Sequence, residues 1–197
     1  MTYHHGLSLT PNDSFYELVT NTRLVGVDTE TISRTNRTLL GIGVAFNRTE
    51  AYYVTPESRE FGIVLQLLRN KSVRKIYHNA PFDLRVLRKY DVDIDEVEDT
   101  ALMARLAMED SAVLEDLSFW LEPLGKMQTQ NAGTMIAAYK GHTMLDLPPD
   151  VVAEKCCRDA KAAFALFEKY SLQISMGYYE RSVSYTHLRA HETVLDL

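Results

Sequence analysis

Apolar residues fall in short blocks over the first half of the chain and in helical spacing over much of the second. Leu24–Asp28, Leu39–Phe46 and Ala51–Val54 are apolar runs of strand length. They are joined by the polar turns Thr35-Asn36-Arg37 and Asn47-Arg48-Thr49. Glu60–Arg69 places Phe61, Val64, Leu65 and Leu68 on one side, the spacing of an amphipathic helix. Val73–His78 returns to a strand, and Pro81–Tyr90 to a helix whose proline suits the first turn. Thr100–Met108 and Ala112–Leu124 are amphipathic helices. Gln128–His142 is interrupted by Ala132-Gly133 and Lys140-Gly141 and reads as a helix between loops. A long helical pattern runs from Pro149 to Tyr170, with Val151, Val152, Cys156, Ala163 and Leu166 among its apolar positions. Three strands on short turns, then alternating helices and strands, give an α/β fold with a mixed central sheet, antiparallel first strands and flanking helices.

Composition changes this picture little. Of 197 residues, 46% are hydrophobic and 24% charged, ordinary values for a soluble globular domain. The longest apolar stretches are far below a membrane span, and the N-terminus lacks a basic start followed by an apolar run. No membrane partner is expected. Cys156 and Cys157 are adjacent on one helix and cannot staple the fold, which points to a reducing, cytoplasmic setting. His4 and His5 form an isolated, solvated pair. The net charge of −6 argues against tight non-specific duplex binding. It permits a site where bound cations supply the positive field. Arg34, Arg37 and Arg48 form one basic group, and Arg69, Lys71, Arg74 and Lys75 another, both read chiefly as solvated faces.

Chemistry resides in three acidic words: Val27-Asp28-Thr29-Glu30-Thr31, Asn79-Ala80-Pro81-Phe82-Asp83 and Cys157-Arg158-Asp159-Ala160. Side chains two apart on a strand share a face, so Asp28 and Glu30 project together while Thr29 faces the other way. Asp83 falls in the first turn of its helix, where the dipole favours a carboxylate. Asp159 is interior to the long helix. Taken singly, each word reads as a solvated edge, a helix cap or a surface acid. Gathered in one site, four carboxylates would repel one another and raise each other's pKa. Mg²⁺ or Mn²⁺ removes the conflict, because carboxylate oxygens are their preferred ligands.

In these words the chain resembles the DEDD superfamily of 3′–5′ exonucleases, and most closely the proofreading domain of family A DNA polymerases. Asp99-Thr100-Ala101-Leu102-Met103 is similar to the family's Asp-Thr-x-Leu segment, and Leu114-Glu115-Asp116-Leu117 to its Leu-x-x-Leu helix. The resemblance spans residues 20 to 170. It implies a ribonuclease H-like fold and metal-dependent hydrolysis at a single-stranded DNA 3′ end, with two divalent ions about 3.5–4 Å apart. It further implies that Asp28 bridges both ions, that Glu30 and Asp159 complete the first, and that Asp83 holds the second through water. The Thr29 backbone, Asn79 and Phe82 would flank the terminal nucleotide.

One position departs from the pattern. The polymerase branch carries a tyrosine four residues before the third acid, and the other branch a histidine five before. Here those positions are Lys155 and Glu154. A tyrosine hydroxyl donates and accepts, whereas an ammonium has three donors and no acceptor. Lys155 reads as a helix-surface ion pair with Asp159, able to compete with metal for the carboxylate. It also reads as a catalytic replacement for the tyrosine. Three functions therefore stay open: a proofreading domain of a polymerase fragment, a stand-alone RNase D-like exonuclease acting on RNA, and a silent exonuclease fold kept for nucleic-acid binding.

The stretch from Val183 to Thr193, Val-Ser-Tyr-Thr-His-Leu-Arg-Ala-His-Glu-Thr, is similar to one reading frame of a transposase-based sequencing-library adapter. Val194 and Leu195 would then come from the variable index, and Asp196-Leu197 from the constant sequence that follows. Residues 1–182 are accordingly read as the exonuclease domain and 183–197 as a non-native tail that packs loosely. A polymerase domain would have followed on the C-terminal side.

Overall fold

The computed structural model describes residues 13–93, 95–121 and 127–174. His4, His5 and the 183–197 stretch lie outside the described residues. Five strands form one sheet: β1 (Leu24–Thr31), β2 (Leu39–Ala45), β3 (Ala51–Val54), β4 (Arg74–Tyr77) and β5 (Val97–Asp99). Their order is β3-β2-β1-β4-β5. The first three pair antiparallel, whereas β4 runs parallel to both β1 and β5. This is the mixed α/β sheet expected from the pattern, with β5 added at one edge.

β1 outruns its apolar run. Pairing with β2 continues past Asp28, which faces Gly43, to Glu30, which faces Gly41, and the register shifts at Thr31. Tertiary pairing, not local composition, keeps Glu30 in the strand.

Helices cover both faces. On one side lie α1 (Asp13–Asn21), α2 (Phe61–Arg69) and α3 (Ala80–Leu87), packed around Phe15, Val25, Val27, Leu68 and Val86. On the other lie α4 (Thr100–Leu106), α5 (Leu114–Phe119) and α7 (Pro149–Ser171), packed around Ile76, Met103, Leu117, Ala160 and Leu166. The short α6 (Ala132–Ala138) joins this second layer through Met135 and Ile136. The strand period divides β1 between the layers: Val25 and Val27 face the first, and Gly26 lies beneath α7.

Two glycines set how deeply α7 sits. A Cβ on Gly26 would lie 2.4 Å from the Ala160 carbonyl oxygen, and one on Gly43 would lie 2.7 Å from that of Cys156. Only glycine allows so close an approach of helix backbone to sheet. The two carbonyls are one helical turn apart, so α7 rests on β1 and β2 at the level of the first acidic word. Its leading end is fixed as well: the Met144 N–H donates to the Ile32 carbonyl at 3.0 Å, tying the turn before α7 to the end of β1.

Two elements escape the sequence pattern, and two shorten. α1 and β5 were not expected. The Ala112–Leu124 helix contracts to Leu114–Phe119, after Ser111 Oγ takes the Val113 N–H at 3.1 Å. Within Gln128–His142, only Ala132–Ala138 is helical. Asn131 Oδ1 accepts the Gly133 N–H at 2.9 Å to start it, and Lys140 at φ 53° ends it.

Candidate active site

β1 carries Asp28 and Glu30 to its C-terminal end, where the α7 side chains meet them. Glu30 is 6% exposed and Asp159 7%. Asp28 is half-buried as a residue, but its Oδ2 is sealed from solvent and has no hydrogen-bond donor. Asp159 Oδ1 is likewise sealed and unmatched. Burial pushes the Asp28 carboxyl well above the usual range, and the nearby charges of Asp159, Glu30 and Asp83 push it further. Asp159 is raised to about 6, again chiefly by burial, with the Lys155 ammonium pulling the other way.

Asp83 reaches the same place from the opposite layer. It sits in the first turn of α3 and is buried. Thr29, facing that layer as the strand period requires, holds it twice: its N–H donates to Asp83 Oδ1 at 2.9 Å and its hydroxyl at 2.7 Å. Burial nevertheless raises Asp83 to about 7, with the Glu30 charge adding to it. Thr29 therefore gives its backbone N–H to Asp83 in this arrangement. Asn79 is exposed in the left-handed region, φ 64°, at the cap of α3, and Phe82 is partly buried against the first core.

Lys155 does not lie on the helix surface. Its side chain is only 9% exposed, and Nζ donates to Glu30 Oε1 and Asp159 Oδ2, both at 2.7 Å. Burial opposes its charge most strongly, but Asp159, Glu30 and Asp28 together outweigh that and hold the ammonium well above its ordinary pKa. Lys155 also lines a cavity of about 280 Å³ with Gln130, Tyr139, Val151, Glu154 and Arg158.

Two residues given no role at the site by the sequence stand close by. Asp28, Glu30 and Cys156 bring ligand-type atoms within 4.8 Å of one another. Burial keeps the Cys156 group a thiol, and its Sγ donates to the Asp28 carbonyl at 3.4 Å. A hard cation would take the carboxylates in preference. Asp99 is the second. Its carboxylate accepts the Asn79 N–H at 2.9 Å, the Ala80 N–H at 3.1 Å and the Ala101 N–H at 3.0 Å. One side chain thus caps the starts of α3 and α4 and sets where Asp83 stands.

Of the basic residues, Lys71 pairs with Asp95 at 2.9 Å, Arg74 with Glu98, and Arg69 bonds the carbonyls of Tyr90 and Asp91. Lys75 is buried, and Arg48 pairs with Glu168. These cations are engaged within the fold.

The fold agrees with known nucleases. Brucella melitensis NrnC superimposes with a TM-score of 0.68 at 17% identity, over 96% of this chain and 91% of that one. Trypanosoma brucei RNase D gives 0.59 at 13% identity, over 77% and 58%. The Pol1 of M. smegmatis, solved with DNA primer-template and dNTP, gives 0.53 at 16%, over 84% of this chain and 28% of that one. At these identities the likeness is one of fold. No curated protein matches the sequence. A 3′–5′ exonuclease family model does match, over residues 10–145, which holds the first two acidic words and ends before α7. On that match, with a five-stranded sheet shared with solved nucleases, the chain belongs to the 3′–5′ exonuclease family, within the DEDD superfamily of ribonuclease H-like nucleases.

Proposed function

We propose that this exonuclease hydrolyses the phosphodiester bond at the 3′ end of single-stranded DNA, with Mg²⁺ or Mn²⁺ held by Asp28, Glu30, Asp83 and Asp159. One observation carries the reading. Asp28 Oδ2 and Asp159 Oδ1 are carboxylate oxygens sealed from water, without a donor, beside other acids. Unpaired buried acceptors are costly, and a divalent ion relieves them with its preferred ligand type. Bound there, such ions supply charge neutralisation and a water of lowered pKa.

The chain's own residues do the rest. Thr29 donates its N–H and hydroxyl to Asp83, and Asp99 accepts the N–H groups that start the helix carrying it. Phe82 and Asn79, at the start of α3, offer an apolar wall and a polar tip to the terminal nucleotide. Tyr139, half-exposed in the cavity beside Lys155, offers a face on which a base can stack without regard to sequence.

The resemblance to family A polymerases supports a proofreading role beside a polymerase domain. A second reading, a stand-alone RNase D-like enzyme acting on RNA, is favoured by the 91% of the NrnC chain that the match covers, against 28% of the Pol1 chain. Lys155 in the tyrosine position favours a third, a silent fold that binds a nucleic-acid end. Single-stranded DNA and RNA labelled at either end, with Mg²⁺, Mn²⁺ or EDTA, separate the three. The expected result is nucleotide release from the DNA 3′ end, abolished by EDTA and lowered by Asp28→Asn about 1,000-fold. Preference for RNA selects the second reading. Metal-dependent hydrolysis absent in the wild type leaves the third.

A further inference from the structure

We infer that the Lys155 ammonium is a resident cation, occupying the position between Glu30 and Asp159 that a divalent ion would otherwise take, so that the resting protein binds one divalent ion and not two. The inference rests on the metal-site reading above and fixes its stoichiometry.

Geometry excludes shared occupancy. Nζ lies 2.7 Å from Glu30 Oε1 and 2.7 Å from Asp159 Oδ2, the two carboxylates assigned to one ion. A divalent ion bridging the same oxygens would sit about 2.0–2.6 Å from each, in the space the ammonium fills. The lysine is held there. Its side chain is 9% exposed, and both partners are buried to the same degree, 8% and 9%. Displacing it exchanges two charge-assisted hydrogen bonds for a cation that must find new partners. The acceptors it leaves unmatched are Asp28 Oδ2 and Asp159 Oδ1. These remain for a single ion. Lys155 is also supported by backbone placement, since the α7 turn that carries it rests on Gly43 through the Cys156 carbonyl.

The arrangement differs in kind from a surface i,i+4 pair. Asp159 is four residues along the same helix, but Glu30 comes from β1, 125 residues away in sequence. The ammonium therefore joins helix to strand across the site, as a bridging metal would, without leaving when chelator is added.

Mn²⁺ uptake by the wild type, measured by calorimetry and by loss of the free-ion paramagnetic signal, tests this directly. One Mn²⁺ per chain is expected. Lys155→Met, checked for folding by circular dichroism, should take up a second ion or bind on the order of tenfold more tightly. It should also melt lower than wild type in EDTA and recover on adding Mn²⁺. The wild-type stoichiometry needs no variant, so that arm stands even where the methionine variant does not fold. Two ions bound by the wild type, or equal stoichiometry and affinity in wild type and Lys155→Met, would each overturn the inference. Uptake by Lys155→Met but not by wild type would refute the stoichiometry of one. Absence of Mn²⁺ uptake in both chains defeats the metal-site reading itself, a result distinct from a wild type that binds two.

Discussion

Asp83 and Asp159 bring the same charge to the same site, and the protein restrains them by different means. Asp83 is held by neutral donors: the Thr29 hydroxyl and N–H bind it, and Asp99 fixes the helix it stands on. Asp159 is held by a full positive charge, the Lys155 ammonium. Neutral donors orient a carboxylate but leave most of its charge to be balanced, and Asp83 stays raised to about 7. The ammonium balances charge as well as orienting, so the α7 side is nearer to complete without metal. On the side built from α3, no cation faces the carboxylate among the contacts described. A site of four like charges thus becomes two halves, one balanced by an ammonium and one oriented by neutral donors.

The largest disruption should come from the donor side. Asp99→Ala strands three backbone N–H groups at two helix starts, and should cost about 3 kcal/mol by urea unfolding. Because α3 carries Asp83, metal-dependent hydrolysis should fall with it, while Asp99→Asn, which keeps an acceptor, should recover part of both. A stable, fully active alanine variant would show that α3 is fixed by packing alone.

A finer cut removes one donor and leaves the helix in place. Thr29→Val keeps the N–H bond to Asp83 and deletes the hydroxyl bond. Stability should drop by about 1 kcal/mol, and the Asp83 carboxyl, which both bonds lower, should titrate above about 7. Carboxyl NMR titration of the two chains reads this. An unchanged Asp83 titration would make the N–H bond the sole restraint.

The remaining test concerns pH. Asp83 and Asp159, at about 7 and about 6 in the folded chain against 3.8 for an ordinary aspartate, bind protons more tightly folded than unfolded. Their contribution to stability is present at low pH and is lost as pH rises through those values. Lys155, raised above 10.5, contributes evenly across the same window. Metal-free protein should therefore melt a few degrees lower at pH 8 than at pH 5, and Mn²⁺ should narrow the gap. A melting temperature independent of pH in EDTA would mean that the four acids do not share one charge problem.

Legibility followed the range of the interactions. β1, β2 and β3 were readable because Leu24–Val27, Leu39–Phe46 and Ala51–Val54 carry their own apolar signal, and α7 because its period runs for many turns. β5 was not, since Val97-Glu98-Asp99 is three residues long with two acids, and the partner of the buried Glu98, Arg74, lies on the neighbouring strand. The three acidic words were visible as words. Lys155 was legible as a partner of Asp159 through the i,i+4 spacing, but its second partner, Glu30, lies on another element and nothing local announces it. Asp99 was noticed as part of a segment, and its role appears only when two helix starts meet at one carboxylate.

The close seating of α7 on Gly26 and Gly43 has a consequence for how the site can drift. With main chain against main chain, the distance from strand to helix is gauged by covalent backbone and not by the volumes of core side chains. Substitutions among Phe164, Leu166 and Tyr170 can loosen or refill that layer without moving Asp159 away from Asp28. Azimuth is fixed by the same contact. Turning α7 by one residue would bring Glu154 and Arg158 toward β1 in place of Lys155 and Asp159, reversing the order of charges facing Glu30. Two hydrogen atoms, where any other residue would place a carbon, act as the site's calliper.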